Sequence, residues 1–195
     1  MSHLTRRRLL AGFASLGAMS VAGPVFAATA PTPEAAQGFR NRYGVGLKPT
    51  FAQRRVLEGQ AMRLRTALAG TGAVVFFGDS FTVATLPETA LFAHPGTDVR
   101  PDAMPLINAL AAEMLHEDTT WLEVAGHWHS DGNAAGAMTM SERRAVSVQA
   151  GLMSRGVPIN RIVASGLGES LPVADNLSAL GRRENRRIDL VFRTI

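Results

Sequence analysis

The sequence predicts an α+β fold in which one sheet carries helices on one face. Two periodicities point there. Apolar residues recur at two-residue spacing in short stretches rich in β-branched and aromatic side chains, and at three- and four-residue spacing in two longer ones. Their order gives the third observation. From Ala73 onward it runs hairpin, strand, helix, strand, helix, strand, strand, which fits a single sheet backed by helices.

The elements follow in chain order. Thr50–Ala69 alternates Val56, Met62, Leu64 and Leu68 with arginines and Glu58, which predicts a helix stopped by Gly70 and Gly72. Its arginines are expected on a solvated face. Ala73–Phe77 and Phe81–Leu86 flank the turn residues Gly78-Asp79-Ser80 and read as a hairpin. Leu91-Phe92 is expected to begin another strand. In Pro101–Leu115, Met104, Ile107, Leu110, Ala111 and Met114 share a helical face, with Pro101 or Pro105 in the first turn. Thr120–Trp128 is a strand with Leu122, Val124 and Trp128 on one face. Thr139-x-x-Glu142 is a capping box opening a helix to Ser154, which Gly156 and Pro158 end. Arg161–Ser165 and Arg187–Arg193 are strands, the second with Ile188, Leu190 and Phe192 towards the core; Asn176–Glu184 is a turn or short helix.

The start of the chain reads differently. Arg6-Arg7-Arg8, the short apolar run Leu9–Val21 and the small-x-small site Val25-Phe26-Ala27 have the form of an export signal over residues 1–27. Thr5-Arg6-Arg7-Arg8-Leu9-Leu10 resembles a twin-arginine signal, which a receptor reads and which does not act as an anchor. Residues 28–70 are expected to be a linker followed by the Thr50–Ala69 helix, and residues 71–195 the folded domain. Removing the three leader arginines lowers the formal charge from +4 to +1. The high isoelectric point therefore does not imply nucleic acid as a partner. No later stretch has membrane-spanning length, so the mature chain is expected in the periplasm. The absence of cysteine excludes disulfides, thiolate metal sites and a lipid-modified cysteine.

Three motifs compete for the function. Gly78-Asp79-Ser80 matches the nucleophile block of GDSL-type esterases, but no histidine follows His129 to act as base. His127-x-His129-x-Asp131 resembles part of the metallo-β-lactamase-fold metal motif, yet Gly132 stands where a further histidine belongs and no ligands follow. Neither supports a catalytic or metal site, and no cofactor site is visible.

The third pattern spans far more of the chain. Leu91–Thr97, Gly126-His127, Met140-Ser141-Glu142-Arg143-Arg144-Ala145, Gly166-Leu167-Gly168-Glu169-Ser170-Leu171-Pro172 and Gly181-Arg182-Arg183-Glu184-Asn185-Arg186-Arg187-Ile188 occur in one order over Gly72–Phe192. Together they resemble the peptidoglycan-associating C-terminal domain of the OmpA family, shared with Pal-type lipoproteins and MotB. The resemblance implies a βαβαββ sandwich, preceded here by the extra hairpin. It also implies non-covalent binding of the diaminopimelate stem of peptidoglycan, at the cell wall or outer membrane and among other envelope proteins. A carboxylate would take the ligand's ammonium and an arginine its carboxylate.

Carried onto this chain, the arginine is Arg144. The aspartate position of the family's Gly-His-Thr-Asp holds His129 instead, which offers an ammonium no counter-charge. Ala137 replaces a usual asparagine. Three readings stay open: Asp131 serves as the substitute carboxylate, the ligand differs, or the domain is a scaffold without peptidoglycan affinity. Arg187 reads as half of a structural ion pair, and His127 as a structural residue at a strand end.

Overall fold

The computed structural model describes residues 33–44, 48–129 and 132–195. The expected export signal and Asp131 lie outside the described residues. Where composition suggested a linker, Pro33–Tyr43 forms helix α1. Helix α2 (Phe51–Ala67) starts at Thr50, whose hydroxyl accepts from the Gln53 amide while the Gln53 side chain caps the Thr50 N–H.

Strands β1 (Val74–Phe77) and β2 (Thr82–Pro87) pair antiparallel around the Gly78-Asp79-Ser80 turn, closed by the Gly78 N–H donating to Phe81 O. Those three residues are thus hairpin chemistry, with Asp79 turned outward to Arg54. A short helix α3 (Glu88–Leu91) follows at once. The strand expected at Leu91-Phe92 is reduced to a single bridge, Phe92 to Val99, and β2 takes the opening-strand place in the sheet. After a 3₁₀ turn at Pro101–Ala103, helix α4 (Met104–His116) carries Pro105 in its first turn, where a missing N–H costs nothing.

Strand β3 (Thr120–His127) leads through the loop at His129 to helix α5 (Ala134–Met153). Its start corrects the expected capping box. Asn133 is the N-cap, accepting from the Gly136 amide, and the Thr139 hydroxyl instead donates to Ala135 O inside the helix. Strand β4 (Ile162–Gly166), helix α6 (Ala179–Asn185) and strand β5 (Arg187–Thr194) complete the order.

The sheet order is β1-β2-β5-β3-β4. β5 runs antiparallel to both β2 and β3, while β3 and β4 are parallel across the α5 crossover. This is the α+β class the sequence predicts, with the hairpin adding β1 at one edge. On one face α2, α4 and α5 bury Leu64, Ile107, Leu110, Val148 and Leu152 against Val75, Leu122, Val124, Leu190 and Phe192. On the other face α1 lays Phe39 and Tyr43 over Phe76, Phe81, Val83 and Val191. The sheet therefore alternates its side chains into two cores rather than one.

The last turns of β3 and β4 bring the backbone close to α5. Gly126 and Gly166 are register partners, and a side chain on either would run into α5 backbone at Ser141 or Glu142. Absence of a Cβ at both positions lets the α5 segment bearing Arg144 sit directly on the strand ends. The Gly166–Gly168 loop is stitched there as well. Leu167 N–H donates to Gly126 O, Trp128 N–H to Gly168 O, and Gly168 N–H to the Ser141 hydroxyl.

Candidate functional site at the end of the sheet

Arg144 does not stand open to solvent. It is 1% exposed, and its guanidinium is gripped from three sides. Nη1 donates to Glu88 Oε2 at 2.7 Å, and Nε and Nη2 both donate to Gly96 O at 2.9 and 2.8 Å. Its guanidinium carbon lies over the Trp128 ring, 4.1 Å from the ring centre, and over the Phe92 ring at 4.8 Å. The protein's own carboxylate and carbonyl thus engage its donor fork.

Glu88 is the hinge of this arrangement. It opens α3, and its amide donates to Arg186 O, extending the β2–β5 ladder by one bond. Its Oε1 accepts from Arg186 Nε at 2.6 Å, so one carboxylate serves two guanidiniums. Burial alone would push the Glu88 carboxyl up, but Arg144 and Arg186 outweigh it and hold it below its ordinary value. Burial pulls the Arg144 guanidinium below its ordinary value against the opposing pull of Glu88.

The exposed segment 93–96 closes the site from outside. His94 stacks on Trp128, ring centres 5.5 Å apart, and brings Nδ1 to 3.5 Å from Glu88 Oε1. Trp128 occupies the threonine position of the motif that the resemblance identifies, so the ring itself is the lid over Arg144.

His129 faces another way. Its Nδ1 lies 3.3 Å from Glu169 Oε1, on the loop after β4. A pocket of about 160 Å³ between Trp128, His129, Glu169, Pro172 and Arg187 is too narrow to admit a water molecule. A larger, open groove of about 860 Å³ lies between the end of α2 and the start of α4, with the Arg100–Asp102 ion pair at its rim. It takes in none of the charged groups around Arg144, and the interlocked ionic chemistry at the sheet end marks the better candidate site.

On the opposite side of β3, His127 turns from His129 towards Asp189. Its Nε2 lies 3.1 Å from Asp189 Oδ2, in contact with the carboxylate but off the hydrogen-bonding direction. Asp189 is fully buried and accepts from the Tyr43 and Thr85 hydroxyls at 2.7 Å each, and from Arg187 Nε. Arg187 is thus half of a buried ion pair, and the two histidines of the His-x-His motif answer to different carboxylates. Asn185 clamps the loop before α6, accepting from the Val173 and Ala174 amides.

Sequence reasoning missed Glu88, Trp128 and Arg186. One signal was available. Glu88 is the sole Asp, Glu, Lys or Arg between Asp79 and Asp98, in a stretch otherwise apolar or hydroxylic apart from His94. An isolated acid among core residues implies a buried cationic partner.

Comparison with known proteins agrees with this architecture. The OmpA family matches residues 91–186. The putative lipoprotein YfiB of Escherichia coli is 31% identical over 110 residues, covering 56% of this chain and 69% of that protein. The probable lipoprotein YiaD of the same organism is 28% identical over 136 residues, covering 70% of this chain. The chain spans 62% of YiaD's own length, less than two thirds. A putative MotB-like protein from Desulfovibrio vulgaris shares the fold at a TM-score of 0.65 and 22% identity, over 74% of this chain and 95% of that one. Among the described residues no helix is long and apolar enough to cross a membrane. Sheet order, sheet-end site and matched residues converge: the chain belongs to the OmpA family.

Proposed function

We propose that this protein is exported to the periplasm by the twin-arginine leader and associates non-covalently with peptidoglycan, helping to organise the cell envelope at the wall or outer membrane. The observation that carries the reading is the fixed guanidinium of Arg144. It sits at the position that the resemblance gives to the carboxylate of diaminopimelate, oriented by Gly96 O, Glu88 and the Trp128 ring. A planar fork held in place loses little freedom when a carboxylate replaces its present acceptors. The proposed ligand surface also takes in His129, which lies beside Glu169, and Asp131, two residues further along the sequence.

The test is retention on purified sacculi of the diaminopimelate type. The natural protein should sediment with them. Arg144→Ala should weaken retention by about 2 kcal/mol, roughly thirtyfold, the cost of one charge-assisted pair. Retention unchanged in that variant would remove Arg144 from the site.

A second reading draws on a specific observation. Arg144 is 1% exposed with its donors engaged, and histidine replaces the carboxylate at 129. On this reading the domain is a scaffold for an envelope assembly such as a secretion or motility complex, with no peptidoglycan affinity. A natural protein that ignores sacculi, together with a His129→Asp variant that binds them, would establish it.

A further inference from the structure

The residue at 129 cannot balance an ammonium, yet a buried carboxylate lies on the other side of Arg144. We propose that Glu88 is the carboxylate that receives the ligand's ammonium, and that in the closed pocket it stands on Arg144 in place of the ligand's own carboxylate. The inference rests on the reading of this pocket as a diaminopimelate site and names the residue that completes it.

Geometry carries the proposal. Glu88 Oε2 holds Arg144 Nη1 at 2.7 Å, while Oε1 holds Arg186 Nε at 2.6 Å. If a ligand carboxylate takes over Nη1, Glu88 remains anchored by Arg186 and keeps its charge in the pocket. Its other neighbour is already a nitrogen: His94 Nδ1, 3.5 Å from Oε1, on a side chain 57% exposed. An ammonium entering from solvent would occupy the place of that imidazole nitrogen. The second acceptor on Arg144, Gly96 O, belongs to the same outward segment as His94. Displacing one stretch, residues 93–96, therefore frees the Nε/Nη2 edge of Arg144 and the cation position on Glu88 together.

The charges sort the ligands. Two guanidiniums around one carboxylate leave a surplus of one positive charge. A zwitterionic head leaves that surplus unchanged and pairs both of its own charges. A simple dicarboxylate can pair with Arg144 but makes no use of Glu88. A simple amine would strip Arg144 of its partner and raise the buried positive charge, the costliest outcome. The site should therefore prefer meso-diaminopimelate to pimelate, the same seven-carbon diacid without ammonium groups, and should reject cadaverine, the corresponding diamine without carboxylates.

The experiment titrates the full chain with those three compounds, read by tryptophan fluorescence, since Trp128 lies on Arg144. The natural protein should prefer meso-diaminopimelate to pimelate by about tenfold or more, one charge-assisted bond. Glu88→Gln should abolish that preference, leaving the two alike. Adding His129→Asp to Glu88→Gln should restore it, by supplying a carboxylate from the opposite side. An equal response of the natural protein to both diacids overturns the proposal even if Glu88→Gln fails to fold. So does a preference that survives in a folded Glu88→Gln variant. If that preference survives while Arg144→Ala loses all response, the Glu88 assignment falls and the pocket reading stands. If the natural protein responds to none of the compounds and ignores sacculi, both fall.

Discussion

At the scale of single residues the firmest electrostatic statement concerns His127. Burial lowers its pKa below the ordinary 6.5, with Arg187 and Arg42 acting the same way, and outweighs the raising pull of Asp189. The unfolded chain therefore binds that proton more readily than the folded one. Stability from this group is full above about pH 6.5 and falls as pH drops through that value. Asp189 acts in a lower window. Burial would raise its carboxyl, but Arg187, His127 and the Thr85 hydroxyl drive it far below the ordinary 3.8, so its contribution holds above that pH and is lost beneath it. His127→Gln should flatten the fall in melting temperature between about pH 6.5 and 5 and leave the steeper loss near pH 4. A melting curve as pH-dependent as the natural protein's across the upper window would show that His127 is not the group responsible. The sequence disclosed the types present here but not their pairing. Arg144 was legible because a motif names it. Glu88, which fixes its state, lies 56 residues away, and only the folded sheet brings the two within bonding distance.

At the scale of elements, the decisive contact is backbone on backbone. Helix α5 rests on Gly126 and Gly166 with no side chain between. Gly126→Ala would push a methyl into the Ser141 carbonyl, which cannot swing aside as a side-chain tip can. We expect a loss of about 3 kcal/mol in urea unfolding, at the upper end of overpacking costs, together with a shift of the Arg144 environment visible in tryptophan fluorescence. A loss below about 1 kcal/mol would mean that α5 can lift without penalty. The helix itself was predictable from its apolar spacing, but its start was not. Thr139 and Glu142 have capping-box spacing, whereas Asn133 caps first and the Ala-Gly-Met run between is compatible with helix, so propagation continues through the later signal.

At the scale of the molecule the sheet has two covered faces, and the second depends on α1. The helix was hidden in a Pro-, Ala- and Thr-rich stretch, because weak local periodicity says nothing of a partner surface more than thirty residues further on. Tyr43 and Phe39 supply the cover, and the Tyr43 hydroxyl donates to buried Asp189. Tyr43→Phe should cost about 1.5 to 3 kcal/mol, the worth of a hydrogen bond to a buried charge, and should speed limited proteolysis within 33–43. Unchanged cleavage rates would mean that packing alone holds the helix. The succession of strands and helices along the chain was legible from the alternating patterns, whereas the sheet order, with β5 between β2 and β3, was not.

That order has a consequence for synthesis. β5 follows every other strand along the chain yet lies in the middle of the sheet, between β2 and β3. While the chain emerges from the ribosome, the β1–β2 hairpin and the β3–β4 pair can each form, but they share no ladder until β5 arrives. Two half-sheets with open inner edges must then wait, unjoined, for the segment from Arg187 onward. Glu88 and Arg186 sit at that seam. The ion pairs around Arg144 and Glu88 are thus among the last contacts the nascent protein can make, and this cluster exists only once the two halves have been zipped together.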